Sequence, residues 1–130
     1  MHARPQAWLA QARNDLELSR LASDQGFQAQ ACFFASQAAE NALKGANLEL
    51  GVAPAHTHQL TELVDSLQEL GVPTDVLRTL RLKPLSRMAT STRYPNDATP
   101  PMQCFDRRDA EEAIACAAAV LAQLDGWDNA

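Results

Sequence analysis

Gln37, Glu40, Asn41 and Lys44 fall at i, i+3, i+4 and i+7, so a helix would carry all four on one narrow stripe. The plainer reading of that stripe is a solvated face with a Glu40–Lys44 pair, worth about 0.3–0.5 kcal/mol. The sharper one is a pocket lining, because the surrounding sequence is apolar and a polar row there must meet water or be paired. A second set is Thr92-Arg93-Tyr94-Pro95-Asn96-Asp97. Arg93 offers a planar fork for phosphate or carboxylate, and Tyr94 a face for stacking. Internal pairing of Arg93 and packing of Tyr94 on the fold is the rival reading. The third set, His56-Thr57-His58-Gln59-Leu60, marks a helix entrance, whose free N–H groups attract anions. Its rival is a capped helix start with incidental histidines.

Other chemistries leave no trace. Neither GxGxxG nor GxxxxGK[ST] occurs, nor does HExxH. His56 and His58 have no Cys or second carboxylate nearby to complete a metal set, so no metal or cofactor is expected. Cys32, Cys104 and Cys116 form no CxxC pair, and an odd number without a disulfide framework fits a reducing compartment. A net charge of −5 repels phosphate backbones, which argues against broad nucleic-acid binding while leaving room for a local basic pocket. The N-terminus lacks an apolar leader run, and no stretch is long and apolar enough to span a bilayer. A soluble, cytoplasmic protein is expected.

The elements that must position these residues are helical. Ala and Leu dominate the apolar content, whereas the β-branched and aromatic residues of strands are scarce. A first helix is predicted over 5–23, with Pro5 at its start and Trp8, Leu9, Ala12, Leu16 and Ser19 on one face. The second, over 27–50, is the centre: Phe27, Ala31, Phe34, Ala35, Ala38, Ala42, Gly45 and Ala46 cover a wide arc that demands neighbours on several sides. Thr57 would cap a third helix over 58–70, and Thr74 a fourth over 75–82. Pro84 would then interrupt the chain before a continuation over 85–91. Pro95, Pro100 and Pro101 keep 92–101 irregular, and Asp106 caps a last helix over 107–124. The expected fold is all-α, an antiparallel four- to five-helix up-and-down bundle forming a single domain over 1–130.

Four pieces in order carry a family resemblance. They are Asn14-Asp15-Leu16, then Ala31-x-Phe33-Phe34-Ala35-x-Gln37-Ala38-Ala39-Glu40-Asn41-Ala42-Leu43-Lys44, then Thr57-His58-x-Leu60, then Thr92-Arg93-Tyr94-Pro95. Together they resemble the HEPN family, the higher eukaryotes and prokaryotes nucleotide-binding domain, over most of the chain. The resemblance implies a helical bundle that commonly homodimerises, often beside a minimal nucleotidyltransferase and sometimes as a toxin–antitoxin pair. It also implies nucleotide binding, for which Lys44, His58, Arg93, Tyr94, Gln37 and Glu40 are the candidate ligand residues. The family's ribonucleases carry an Arg followed four to six residues later by a His. No His occurs beyond His58, so the general acid–base group of that mechanism is missing and no catalytic residue is expected. The RYP-type loop places the chain with the non-nuclease branch. A divergent ribonuclease using His56 or His58 with Arg93, and a purely structural dimerisation scaffold, are the alternatives.

Overall fold

The computed structural model describes residues 3–53, 56–95 and 98–125. Among the described residues six α-helices follow one another: α1 (Ala3–Asp24), α2 (Gln28–Glu49), α3 (Leu60–Glu69), α4 (Asp75–Thr79), α5 (Leu82–Ser91) and α6 (Arg107–Asp125). A single 3-10 turn, Pro101–Gln103, precedes α6, and there is no β-strand among the described residues. No helix among them is long and apolar enough to cross a membrane.

The core is built around α2, which packs against α1, α3, α5 and α6. Fourteen of its 22 residues are buried, as a helix apolar around most of its circumference requires. Its small side chains let α1 come close. A Cβ added at Gly45 would lie 3.0 Å from Trp8 Cβ and 3.3 Å from the Pro5 carbonyl oxygen, so a larger residue does not fit between the two backbones. The helices run antiparallel: Trp8 meets Gly45, and the Ser19 hydroxyl donates to the Ala31 carbonyl at 2.6 Å. Gly26, at φ +90°, makes the reversal between them, with the Phe27 N–H reaching Ala22 O at 2.8 Å. α6 returns antiparallel to α1: its start at Arg107 and Glu111 borders Arg20 and Asp24, and its end at Asp125 pairs with Arg13, midway along α1, at 3.2 Å.

Several expected boundaries are corrected. Phe27 precedes α2 and is exposed, because it belongs to the turn and not to the apolar arc. α4 stops at Thr79 and α5 begins at Leu82, so Pro84 falls in the first turn of a helix. The first N–H groups of a helix have no intrahelical acceptor, which makes Pro84 harmless there. The expected all-α bundle stands, with the segment after Pro73 divided into the separate helices α4 and α5. Thr57 does not cap α3, whose N-cap is Gln59; its hydroxyl instead accepts from the Gln59 N–H at 3.0 Å and donates to Glu62 at 2.9 Å. Thr74 does precede α4, but its hydroxyl turns to Gln68 Oε1 at 3.3 Å. Asp106 does cap α6: Asp109 N–H donates to its carboxylate at 2.8 Å, and its own N–H donates to Asp109 at 2.9 Å. Asn96 and Asp97 lie outside the described residues.

Candidate functional site

Lys44 follows Glu40 by one turn of α2, and its Nζ donates to Glu40 Oε2 at 3.0 Å. The other oxygen, Oε1, meets His58 Nδ1 at 2.7 Å. A carboxylate only accepts, so the His58 proton sits on Nδ1 and Nε2 is left for solvent or a ligand. The solvated-face reading of the stripe fails here: the Glu40 and Lys44 side chains are 6% and 11% exposed, whereas the His58 ring is 54% exposed. His58 thus lies over the ion pair at the entrance to α3. That entrance is held by α5, where Ser86 Oγ accepts the Leu60 N–H at 2.9 Å. Asn41 faces the other way and donates to Asp15 Oδ2 at 2.9 Å, while Gln11 donates to Asp15 Oδ1 at 2.9 Å. Buried Asp15 is therefore held by two amides, and this link between α1 and α2 was not among the sequence-derived candidates. Gln37 is half-buried, and His56 is exposed.

Arg93 follows α5 directly. Its Nε donates to the Ala89 carbonyl at 3.0 Å, anchoring the guanidinium at the helix end. The guanidinium carbon lies 5.1 Å from the Phe33 ring centroid and 5.3 Å from that of Tyr94. Phe33 in turn meets Phe34 edge to face at 5.1 Å. The terminal Nη groups of Arg93 have no acceptor among the described residues, and Tyr94 is 61% exposed. The result is a planar donor fork lying within cation–π distance of two aromatic rings, with its outer edge open. Phe33 was not singled out in sequence as a site residue, although it stands four residues before Gln37 and seven before Glu40, on the same side of α2.

One face of α2 joins the two clusters, with Phe33 and Glu40 about 10 Å apart along the axis. Concavities of about 310 to 590 Å³ bordered by α1, α3, α6 and the α4–α5 edge are lined by other residues. Among the described residues, no group of three or more His, Cys, Asp or Glu is placed to hold a metal ion.

The HEPN domain matches residues 5–127. This chain belongs to the HEPN family. Two crystal structures are similar to it over almost their whole length. TT1696 from Thermus thermophilus is 36% identical, with a TM-score of 0.85 over 96% of this chain and 98% of that one. ST0689, an archaeal HEPN homologue, is 31% identical, with a TM-score of 0.73 over 95% of this chain and 96% of that one. No curated protein matches. In this HEPN chain the Glu40–Lys44 pair and the platform of the Arg93 fork thus sit on the central helix of the domain, within the matched span.

Proposed function

We propose that this HEPN chain is a non-catalytic module that homodimerises and binds a nucleotide, a minimal nucleotidyltransferase partner, or both, in a system of toxin–antitoxin type. The observation that carries the nucleotide reading is the Arg93 guanidinium, 5.1 Å from the Phe33 ring centroid and 5.3 Å from that of Tyr94, with its Nη groups open. A phosphate meets the fork bidentately, and a base stacks on the exposed Tyr94 ring. His58 Nε2 adds a polar contact, with Gln37 between the two clusters. Lys44 contributes through Glu40, since its ammonium is already balanced by that carboxylate. The absence of any His after Arg93 supports the non-catalytic assignment.

Thermal unfolding with ATP, GTP and their mono- and diphosphates tests this reading. A ligand bound only by the folded chain at a hundred times its Kd stabilises by about 2.7 kcal/mol. The midpoint should rise with at least one nucleotide, and Arg93→Ala should abolish the rise while Arg93→Lys, which keeps the charge but loses the fork, recovers only part of it. No rise with any nucleotide removes the nucleotide half of the proposal. Sedimentation gives the oligomeric state, and a monomer at high concentration removes the dimer. The His58–Glu40 contact favours one second reading, a divergent ribonuclease with His58 as base and Arg93 as anion stabiliser. Cleavage of labelled RNA that disappears in His58→Ala would establish it in place of the first.

A further inference from the structure

The cations of this acidic chain are unevenly placed. Residues 76–96 contain Arg78, Arg81, Lys83, Arg87 and Arg93 and not one Asp or Glu, whereas the other six Lys and Arg share the remaining sequence with all 16 acids. On α5, Leu82, Leu85, Ser86 and Ala89 are buried, which turns Lys83 and Arg87, one turn apart, to the exposed side. Arg78 pairs with Asp65 at 2.7 Å. Arg81, Lys83 and Arg87, all exposed, have no carboxylate partner among the described residues. Beside them, between the α4–α5 junction and α6, lies a groove of about 410 Å³. Leu80, Pro84, Leu85, Met88, Ala113 and Cys116 line it, with Arg81 on its border. A second hollow of about 310 Å³ shares Leu80, Arg81 and Pro84 with it and is also lined by Lys83 and Arg78.

We infer that this edge docks a protein segment in which carboxylates flank a bulky apolar side chain. The apolar residue fills the groove over Met88 and Leu85, while the carboxylates meet Arg81, Lys83 and Arg87. The inference rests on the partner-binding half of the proposed function and not on the nucleotide half, whose residues are different. Charge complementarity selects an acidic partner. The size of the patch selects a peptide over a nucleic-acid strand. α5 has 10 residues and is thus about 15 Å long. At its borders stand Asp65 and, on the groove wall, Glu112, which is paired with Arg108 at 3.3 Å. A uniformly charged strand running past the patch enters the negative field of the rest of the molecule within about 8 Å, the screening length at physiological salt. A short acidic segment does not. An apolar groove is moreover of no use to a phosphate backbone.

The test is selection from a random-peptide display library on the full chain, with counter-selection on Lys83→Glu/Arg87→Glu, followed by fluorescence anisotropy with the enriched peptide. Both substituted side chains are exposed, so the double variant should keep its thermal midpoint. The expected result is enrichment of sequences with several carboxylates around one large apolar residue. Their Kd should weaken about tenfold or more on the double reversal, on Met88→Asp and on raising salt. Failure to enrich, or enriched peptides whose glutamates can be changed to glutamine without loss, overturns the inference. A single-stranded oligonucleotide that binds as tightly through Lys83 and Arg87 overturns it too, and assigns the edge to nucleic acid. A nucleotide-induced rise in midpoint that persists in the double variant shows that the Arg93 site stands whether or not this one does.

Discussion

Glu40 holds Lys44 and His58 with one buried carboxylate, and removing it strands the lysine ammonium in a place with little water. Breaking a buried pair by deleting one partner costs about 3–5 kcal/mol, far more than the pair is worth against two apolar residues. Glu40→Ala should therefore lower unfolding stability in urea by about 3 kcal/mol or more, while Glu40→Leu/Lys44→Met should recover most of it. His58→Ala should cost less than about 1 kcal/mol, because its ring is half exposed. A loss below about 1 kcal/mol in Glu40→Ala would mean that water reaches the pair and screens it. The pairing itself was legible in the sequence, since i, i+4 spacing gives it directly. Its burial was not, because the cover comes from His58, eighteen residues on, and no periodicity reports a contact between separate elements. The Arg93–Phe33 contact joins residues sixty positions apart, so the fork could be read from its side chain but its platform could not.

At the scale of elements, α1 and α2 are matched by the absence of a side chain. Alanine is a better helix former than glycine by about 0.8–1.0 kcal/mol, so Gly45→Ala in isolation would strengthen α2. Packing reverses the sign. The new methyl would lie 3.0 Å from Trp8 Cβ and 3.3 Å from the Pro5 carbonyl oxygen. Neither atom is the free end of a flexible chain, so α1 itself must shift, at an overpacking cost of about 1–3 kcal/mol. Gly45→Ala should come out destabilised by about 1 kcal/mol in urea unfolding, and Gly45→Val by more. A stabilised alanine variant would mean that α1 slides freely on α2. The sequence placed Gly45 on the buried arc through its spacing from Ala38, Ala42 and Ala46, but could not say which neighbour needed the gap. Boundaries were legible where a local rule decides them: Asp106 with Asp109 starts α6, and Gly26 ends α1. They were misread at Pro84 and Thr57, where the same residue type is compatible with two registers. The choice between registers is made by tertiary packing, here by Leu82 and Leu85 reaching the core.

For the molecule as a whole, the three free thiols report how tightly the bundle is closed. Cys104 is exposed, Cys116 half-buried and Cys32 fully buried on α2. Burial, and then the Asp109 and Asp106 carboxylates at the start of α6, push the Cys32 thiol up from 9.0 to about 12. Burial also raises Cys116. In the unfolded chain Cys32 regains its ordinary value. Between pH 9 and 12, then, the unfolded state has lost a proton that the folded state keeps. Stability falls with rising pH wherever the folded state binds more protons, so the contribution is whole below pH 9 and lost as pH climbs toward 12. The slope approaches about 1.4 kcal/mol per pH unit for one such group. Urea unfolding across that window should show the decline. Cys32→Ala should flatten it, and Cys116→Ala should flatten it less. The same order governs modification by a thiol reagent at neutral pH: Cys104 first, Cys116 more slowly, and Cys32 only as fast as the bundle opens. A Cys32 that reacts as quickly as Cys104 in the native protein would mean that α6 parts from α2 on its own. In that event, α2 could not be the fixed element from which Glu40, Lys44 and the Phe33 platform take their positions.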